Sequence, residues 1–297
     1  NGVTFGEISI SNQRGSAFGC SSSTKAIIAG GRSPGTIDNI SFVTTSTLGN
    51  TADFGDLVQV TWNGAGCSNS VRGIFFNGST PPAPNASGQN FIQGLELSSL
   101  GNAFDFGDAT ITKRSRSAFA SSTRAVAFGG ADPANDTIDY VQIASKGNAI
   151  DFGNLSGANG GTTGFSDSTR GWMAGGNILP AGRVNIMEYV TIASSGNAVD
   201  GGDLITATQG KPGSVANSIR GIVAGGSTPG QVKTIVHHTI QTTGIAQYFG
   251  DLTEAKNQLA GVMSPTRGVF AGGTTPSGRI DTIEHITIAS TGNAVLF

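Results

Sequence analysis

The chain is 297 residues long, 12% of them Asp, Glu, Lys or Arg, and its formal net charge is −2. So sparse and balanced a charge gives no basic field to hold a nucleic-acid backbone or an anionic membrane surface, and neither partner is expected. No apolar run approaches the length that spans a bilayer, so membrane insertion is not expected, and the 46 Gly suit tight turns between short strands rather than long helices.

One series of residues recurs from end to end. A Phe-Gly pair stands at Phe5, Phe54, Phe106, Phe152 and Phe249, Gly201 takes the fifth place and Phe297 ends the chain, so the spacing stays within 46 to 52 residues. A period of about fifty residues with several short apolar runs is that of a β-propeller blade, because a lone four-stranded sheet leaves its faces uncovered until neighbours stack on it. The expectation is an all-β, six-bladed propeller of four-stranded antiparallel blades, a single domain over residues 1–297. The chain has no initiator Met and no signal-like start, and both ends carry the same repeat phase. It is therefore expected to be part of a longer protein, with its termini meeting at one blade.

The sixth repeat shows the elements in order. An inner strand is predicted over 258–263, with Gly261 where strands crowd around the axis and Gly19, Gly66 and Gly164 matching it elsewhere. A turn at 264–267 leads into an apolar run at 268–271 that reads as a strand covered on both faces and ends in Gly272-Gly273. After a loop with Pro276, alternation over 280–288 predicts a third strand, and Gly292-Asn293 turns the chain into a fourth. Cys20 and Cys67 fall where other repeats carry Phe119, Phe165, Val215 and Val262, so both read as small buried hydrophobes rather than a disulfide.

The pair closing the second strand recurs as Gly30-Gly31, Gly129-Gly130, Gly175-Gly176 and Gly225-Gly226, with Asn77-Gly78 in the second repeat. In this the chain resembles the kelch family, whose repeats carry a diglycine after the second strand, an aromatic in the third and a Trp in the fourth. Tyr140 and Tyr189 match the third-strand aromatic, Asn39, Gly94, His237 and His285 are assigned to that position elsewhere, and Phe of Phe-Gly-Asp replaces the Trp. The strings at 192–200 and 168–171 are also similar to kelch-type arrays in structural and tail-fibre proteins of marine tailed phages. That resemblance implies a virion surface or tail-fibre component.

Lys25, Arg72, Arg124, Arg170, Arg220 and Arg267 occur once per repeat, and so do Asp56, Asp108, Asp203 and Asp251, with Glu7 and Asn154 in the remaining units. A catalytic group is needed once per site, so a base and an acid in nearly every blade are expected to form a structural latch, in which the cation satisfies a carboxylate and backbone carbonyls together. Asn154 is expected to weaken its own latch. His237 and His285 stand in for the third-strand tyrosines, with His238 beside the first, and no metal site is expected from them. The remaining carboxylates alternate along third strands, as Asp38, Asp139, Glu188 and Glu284 do, and the acidic loop at 131–136 reads as a turn. A copper oxidase would need a Tyr beside a reactive Cys, and a glycosidase two opposed carboxylates. No catalytic residue and no cofactor are expected.

In such a ring the turns after the first and third strands share one face, and the loops after the second and fourth share the other. The first set is monotonous; the second varies, and only groups that differ between blades can read an asymmetric ligand. The candidate ligand-binding residues on this variable face are Trp62, Asn63, Lys113, Arg114, Arg116 and Arg183, joined by Arg32, Asn177, Lys233, Arg279 and a loop at 79–90 stiffened by Pro81, Pro82 and Pro84. Trp62 could stack on a sugar or anchor a protein, and the Lys113, Arg114 and Arg116 cluster could contact an acidic polysaccharide. The expected function is non-enzymatic, at the virion surface or outside the cell. Its partners would be a host glycan or protein receptor, other virion proteins and further copies of the chain in a homo-oligomer. A carbohydrate-active enzyme and a purely structural assembly subunit are the alternatives.

Overall fold

The computed structural model describes residues 15–296 apart from 34, 46, 48, 77, 82–87, 132, 179 and 281. Phe5, Glu7, Asn77, Pro82, Pro84, Asp132 and Phe297 therefore lie outside the described residues, as does the expected meeting of the termini. Six antiparallel sheets form six blades, and in each the first strand pairs with the second, the second with the third and the third with the fourth. The first strands are Phe18–Ser21, Ala65–Ser68, Ser117–Ala120, Thr163–Ser166, Gly213–Ala216 and Ala260–Met263. They touch one another in that cyclic order and the last returns to the first, so the ring is closed around a central channel. No described residue is helical.

Apolar clusters fill the spaces between blades rather than the blades themselves. Ile27, Ile40 and Phe54 of the first blade, for example, pack with Phe75, Leu95 and Leu97 of the second. The Phe-Gly-Asp and Gly-Asn strings meet across the same boundaries. Gly101 N–H donates to the Phe54 carbonyl and Ala103 N–H to the Asp56 carbonyl, both at 2.8 Å, while Asn102 Oδ1 accepts from Asp56 N–H at 3.0 Å. The same three bonds join Phe106 and Asp108 to 147–149, Phe152 and Asn154 to 196–198, and Phe249 and Asp251 to 292–294. Between the fourth and fifth blades the two backbone bonds persist, with Ile245 where the others have Asn. Asn154 therefore holds as fully as the aspartates, contrary to expectation, because this clasp uses main chain and not the Asp side chain.

Departures from the repeat are compensated by near neighbours. Trp172 occupies the second-strand place held by Ile27, Ile74, Val126, Ile222 and Val269, and it is fully buried. In that blade Gly201 replaces the usual Phe, and a Cβ at 201 would run into the Trp172 ring. The indole thus fills the missing phenyl's space. Likewise Gly94 leaves room for Phe104, whose ring would be struck by a Cβ at 94. The register also corrects one assignment: Ile27 pairs with Phe42, so Phe42 and not Asn39 holds the third-strand aromatic position of the first blade.

Trp172→Ile alone is expected to cost about 3–5 kcal/mol by leaving a cavity, and Gly201→Phe alone about 1–3 kcal/mol by overpacking. The double substitution should recover most of both losses in chemical denaturation. Additive losses would contradict the compensation.

Candidate functional site

The once-per-blade cations bridge blades through carbonyls. Lys25 Nζ donates to the Leu97 carbonyl at 2.9 Å, and an Arg nitrogen does so from Arg72 to Ile143 (2.7 Å), Arg124 to Ile192 (2.9 Å), Arg170 to Ile240 (3.2 Å) and Arg220 to Ile288 (3.2 Å). Each cation begins a second strand, and each acceptor follows the third strand of the next blade. On the way the side chain covers a ring of its own blade: Phe42 under Lys25, Phe104 under Arg72, Tyr140 under Arg124 and Tyr189 under Arg170. Arg267 begins the second strand of the sixth blade.

The expected acidic half of the latch is corrected. Asp56, Asp108, Asp203 and Asp251 lie near the opposite end of the sheet from these cations, towards the loops after the fourth strands. Of these, Asp251 forms an ion pair, with Lys233 at 3.3 Å, whereas the carboxylate on Arg72 is Glu96, at 2.6 Å.

The histidines occupy the ring position beneath these arginines. His237 packs edge-on to Phe249 at 5.9 Å, as Tyr140 does to Phe152 at 5.7 Å. Burial, then the charge of Arg220 and of His238, push His237 below the ordinary imidazole range, and burial with Arg267 does the same to His285. Burial also lowers His238, against its bond to the Thr242 carbonyl at 3.0 Å. The unfolded chain then binds protons more readily than the fold. Stability from neutral histidine is complete above the unfolded value of about 6.5 and is lost as pH falls through the lower folded values. Denaturation midpoints should therefore decrease as the pH is lowered below about 6.5, and the combined His237→Tyr and His285→Tyr substitution should flatten that slope. An unchanged slope would contradict the placement of these rings.

On the variable face, Trp62 lies in the connection from the first to the second blade, tied to Ser79 by two backbone bonds of 3.1 and 2.8 Å. Its half-buried ring is flanked by Arg32, 4.8 Å from the centroid, and Arg114, 5.8 Å. Asn63 follows it. Lys113 is the last residue of the strand Phe104–Lys113 rather than part of a loop, and its Nζ donates to the Pro133 carbonyl at 3.0 Å. Arg183 is exposed in a short ribbon that follows the fourth blade's second strand but pairs with Asn159 and Gly160 of the third blade, with no described contact to this cluster.

Arg116 does not belong to the ligand-binding set. It is 1% exposed and pairs with Asp139 at 2.7 Å, while Nε and Nη2 donate to the carbonyls of Gly129 (3.2 Å), Ala127 (3.0 Å) and Thr137 (3.2 Å). All its nitrogens are engaged inside its own blade. Asp139 in turn accepts from the amide (3.0 Å) and hydroxyl (2.7 Å) of Thr110, which leads out of the preceding blade. Glu284, paired with fully buried Lys256, accepts from Thr253 N–H at 2.8 Å, and Glu188 from Ser156 N–H at 2.9 Å. The third-strand acids thus hold the connections between blades.

Two concavities lie on the axis. On the monotonous face a funnel of about 610 Å³ is lined by the turns after the first strands, with Ser23, Ser70, Ser122, Ser168 and Ser218 in equivalent places. Among its described lining residues the carboxylate is Asp167. Its Oδ1 accepts from the amides of Thr169 and Arg170, both at 2.7 Å, and its Oδ2 from Gln241. Burial pushes that carboxyl up, but these bonds prevail and hold it below the usual carboxylate range.

On the variable face the channel narrows to about 120 Å³, lined among others by Ser117, Thr162, Thr163, Ser214 and Lys211. The residue two before each inner strand is left-handed: Ser16, Asn63, Ser115, Gly161, Lys211 and Gln258, with φ from 52° to 70°. Lys211 escaped the sequence reading. Its signal is a charge at a place where the other repeats are neutral.

Cys20 and Cys67 are free and buried, and burial pushes the Cys20 thiol up to about 12. No family model and no curated protein sequence match the chain. Among solved structures it is similar to that titled "Structure of YjhT", with a TM-score of 0.80 at 11% identity, over 98% of this chain and 99% of that one. At that identity the likeness concerns the fold, and the chain is a six-bladed β-propeller.

Proposed function

We propose that the chain is a non-enzymatic recognition module of a virion surface or tail fibre, kelch-like in its repeats, that binds an acidic glycan of a host surface through its variable face. The observation that carries the reading is the flanking of Trp62 by Arg32 and Arg114. The indole offers a surface to the C–H side of a sugar, and it holds two guanidiniums in place for carboxylate or sulfate groups before any ligand arrives. The virion setting rests on the resemblance of the repeat strings to phage arrays. A binding role is further supported by the funnel, where both oxygens of Asp167 are engaged in holding turns. Ile150, Val199, Tyr248 and Val295, exposed on outer strands, favour contact with further copies as a second reading.

A glycan array comparing the protein with Trp62→Ala and with Arg32→Ala/Arg114→Ala tests the proposal. Binding of uronate or sulfated glycans that weakens about tenfold or more in folded variants is expected, equivalent to about 1.4 kcal/mol. No glycan binding, or binding that both variants retain, would overturn it.

A further inference from the structure

We propose that the channel mouth on the variable face is a second anion site, in which Lys211, one of a crown of left-handed residues at the starts of the inner strands, takes one carboxylate or phosphate group of a ligand. The proposal deepens the acidic-ligand reading and rests on it, but different residues carry it. The left-handed residues before the inner strands are drawn together by backbone bonds between successive blades: Asn63 N–H to Ser16 O (3.0 Å), Ser115 N–H to Asn63 O (3.0 Å), Lys211 N–H to Gly161 O (3.2 Å) and Gln258 N–H to Gly210 O (3.0 Å). Glycine suits such a backbone best, as Gly161 shows, and a non-glycine residue there is strained by roughly 1 kcal/mol or more. Five of the six positions nevertheless carry side chains, and among them Lys211 alone is charged.

The surroundings leave that charge unbalanced. Among the described residues no hydrogen bond or ion pair engages the Lys211 ammonium. The hydroxyls that share its channel are turned into the wall: Ser117 donates to the Thr162 carbonyl (2.7 Å), Thr163 to Ser214 Oγ (2.8 Å) and Ser214 to the Gly164 carbonyl (2.7 Å). The buried acids Asp139 and Glu284 are taken by Arg116 and Lys256. Gly161, beside Lys211 in the crown, has no side chain to block approach. Burial lowers the Lys211 amine to about 8, so an anion that stabilises the ammonium must raise it again.

That linkage supplies a readout independent of glycan binding. In protein labelled with ε-¹³C lysine, the Lys211 signal is identified by its loss in Lys211→Gly, a variant whose fold is protected because Gly161 occupies the same place in the fourth blade. Its titration midpoint is expected near 8 and should rise by about one unit with glucuronate or inorganic phosphate, but not with glucose. A rise with one anion alone assigns the site to that group. A midpoint unmoved by both overturns the proposal. The shift should survive Trp62→Ala, so a shift without any glycan binding would retain the crown site while removing the glycan reading.

Discussion

Everything in this ring depends on one contact, the approach of a glycine carbonyl in one blade to a glycine Cα in the blade before it. At Gly55, Gly107, Gly153, Gly202 and Gly250 a Cβ would meet the carbonyl of Gly101, Gly147, Gly196, Gly244 or Gly292, and only its absence lets the flanking backbone bonds form. Phe-Gly-Asp and Gly-Asn recur because they are the two halves of that clasp. The arginine staples join the same neighbours near the turns after the first strands, with carbonyls as acceptors. Bonds made to main chain do not depend on the acceptor's side chain. This explains how Asn154 or Ile245 can appear without loss of the backbone bonds.

Assembly by the turns after the first and third strands leaves the opposite loops free to differ. There the repeats carry a Trp between two arginines, a short ribbon added to the third blade's sheet and a lysine at the axis. Backbone bonds join successive blades on both faces, as the crown at the inner strands shows, but only on the variable face do the loops beyond those bonds change in length and composition from blade to blade. The third-strand acids mark the boundary, because Asp139, Glu188 and Glu284 reach from one blade to amides leaving the one before.

The fold was legible because a period of about fifty residues admits few architectures, and the diglycines and turn strings locate the strand ends. Partners were less legible. Once-per-repeat Arg and Asp suggested each other, yet they stand near opposite ends of the sheet, and sequence carries no mark of an acceptor that is a backbone carbonyl. Arg114 and Arg116 are two residues apart, but Arg114 flanks Trp62 while Arg116 turns inward to Asp139. That difference is decided by where the inner strand begins. In the first blade the ring position falls on Phe42, three residues beyond Asn39, because the pairing of Ile27 with Phe42 sets the register and no turn string in the sequence marks it. In sequence a single lysine before Pro212 is indistinguishable from an ordinary turn; its left-handed backbone and its place on the axis set it apart.

The most direct test of the clasp compares two glycine substitutions by equilibrium denaturation. At Gly107, φ is 150° and an added Cβ would meet the Gly147 carbonyl, whereas at Gly196 nothing lies within 4 Å and the backbone is not left-handed. Gly107→Ala should lose more than about 1 kcal/mol while Gly196→Ala stays near the unsubstituted protein. Equal stability of the two variants would contradict the central role of that contact.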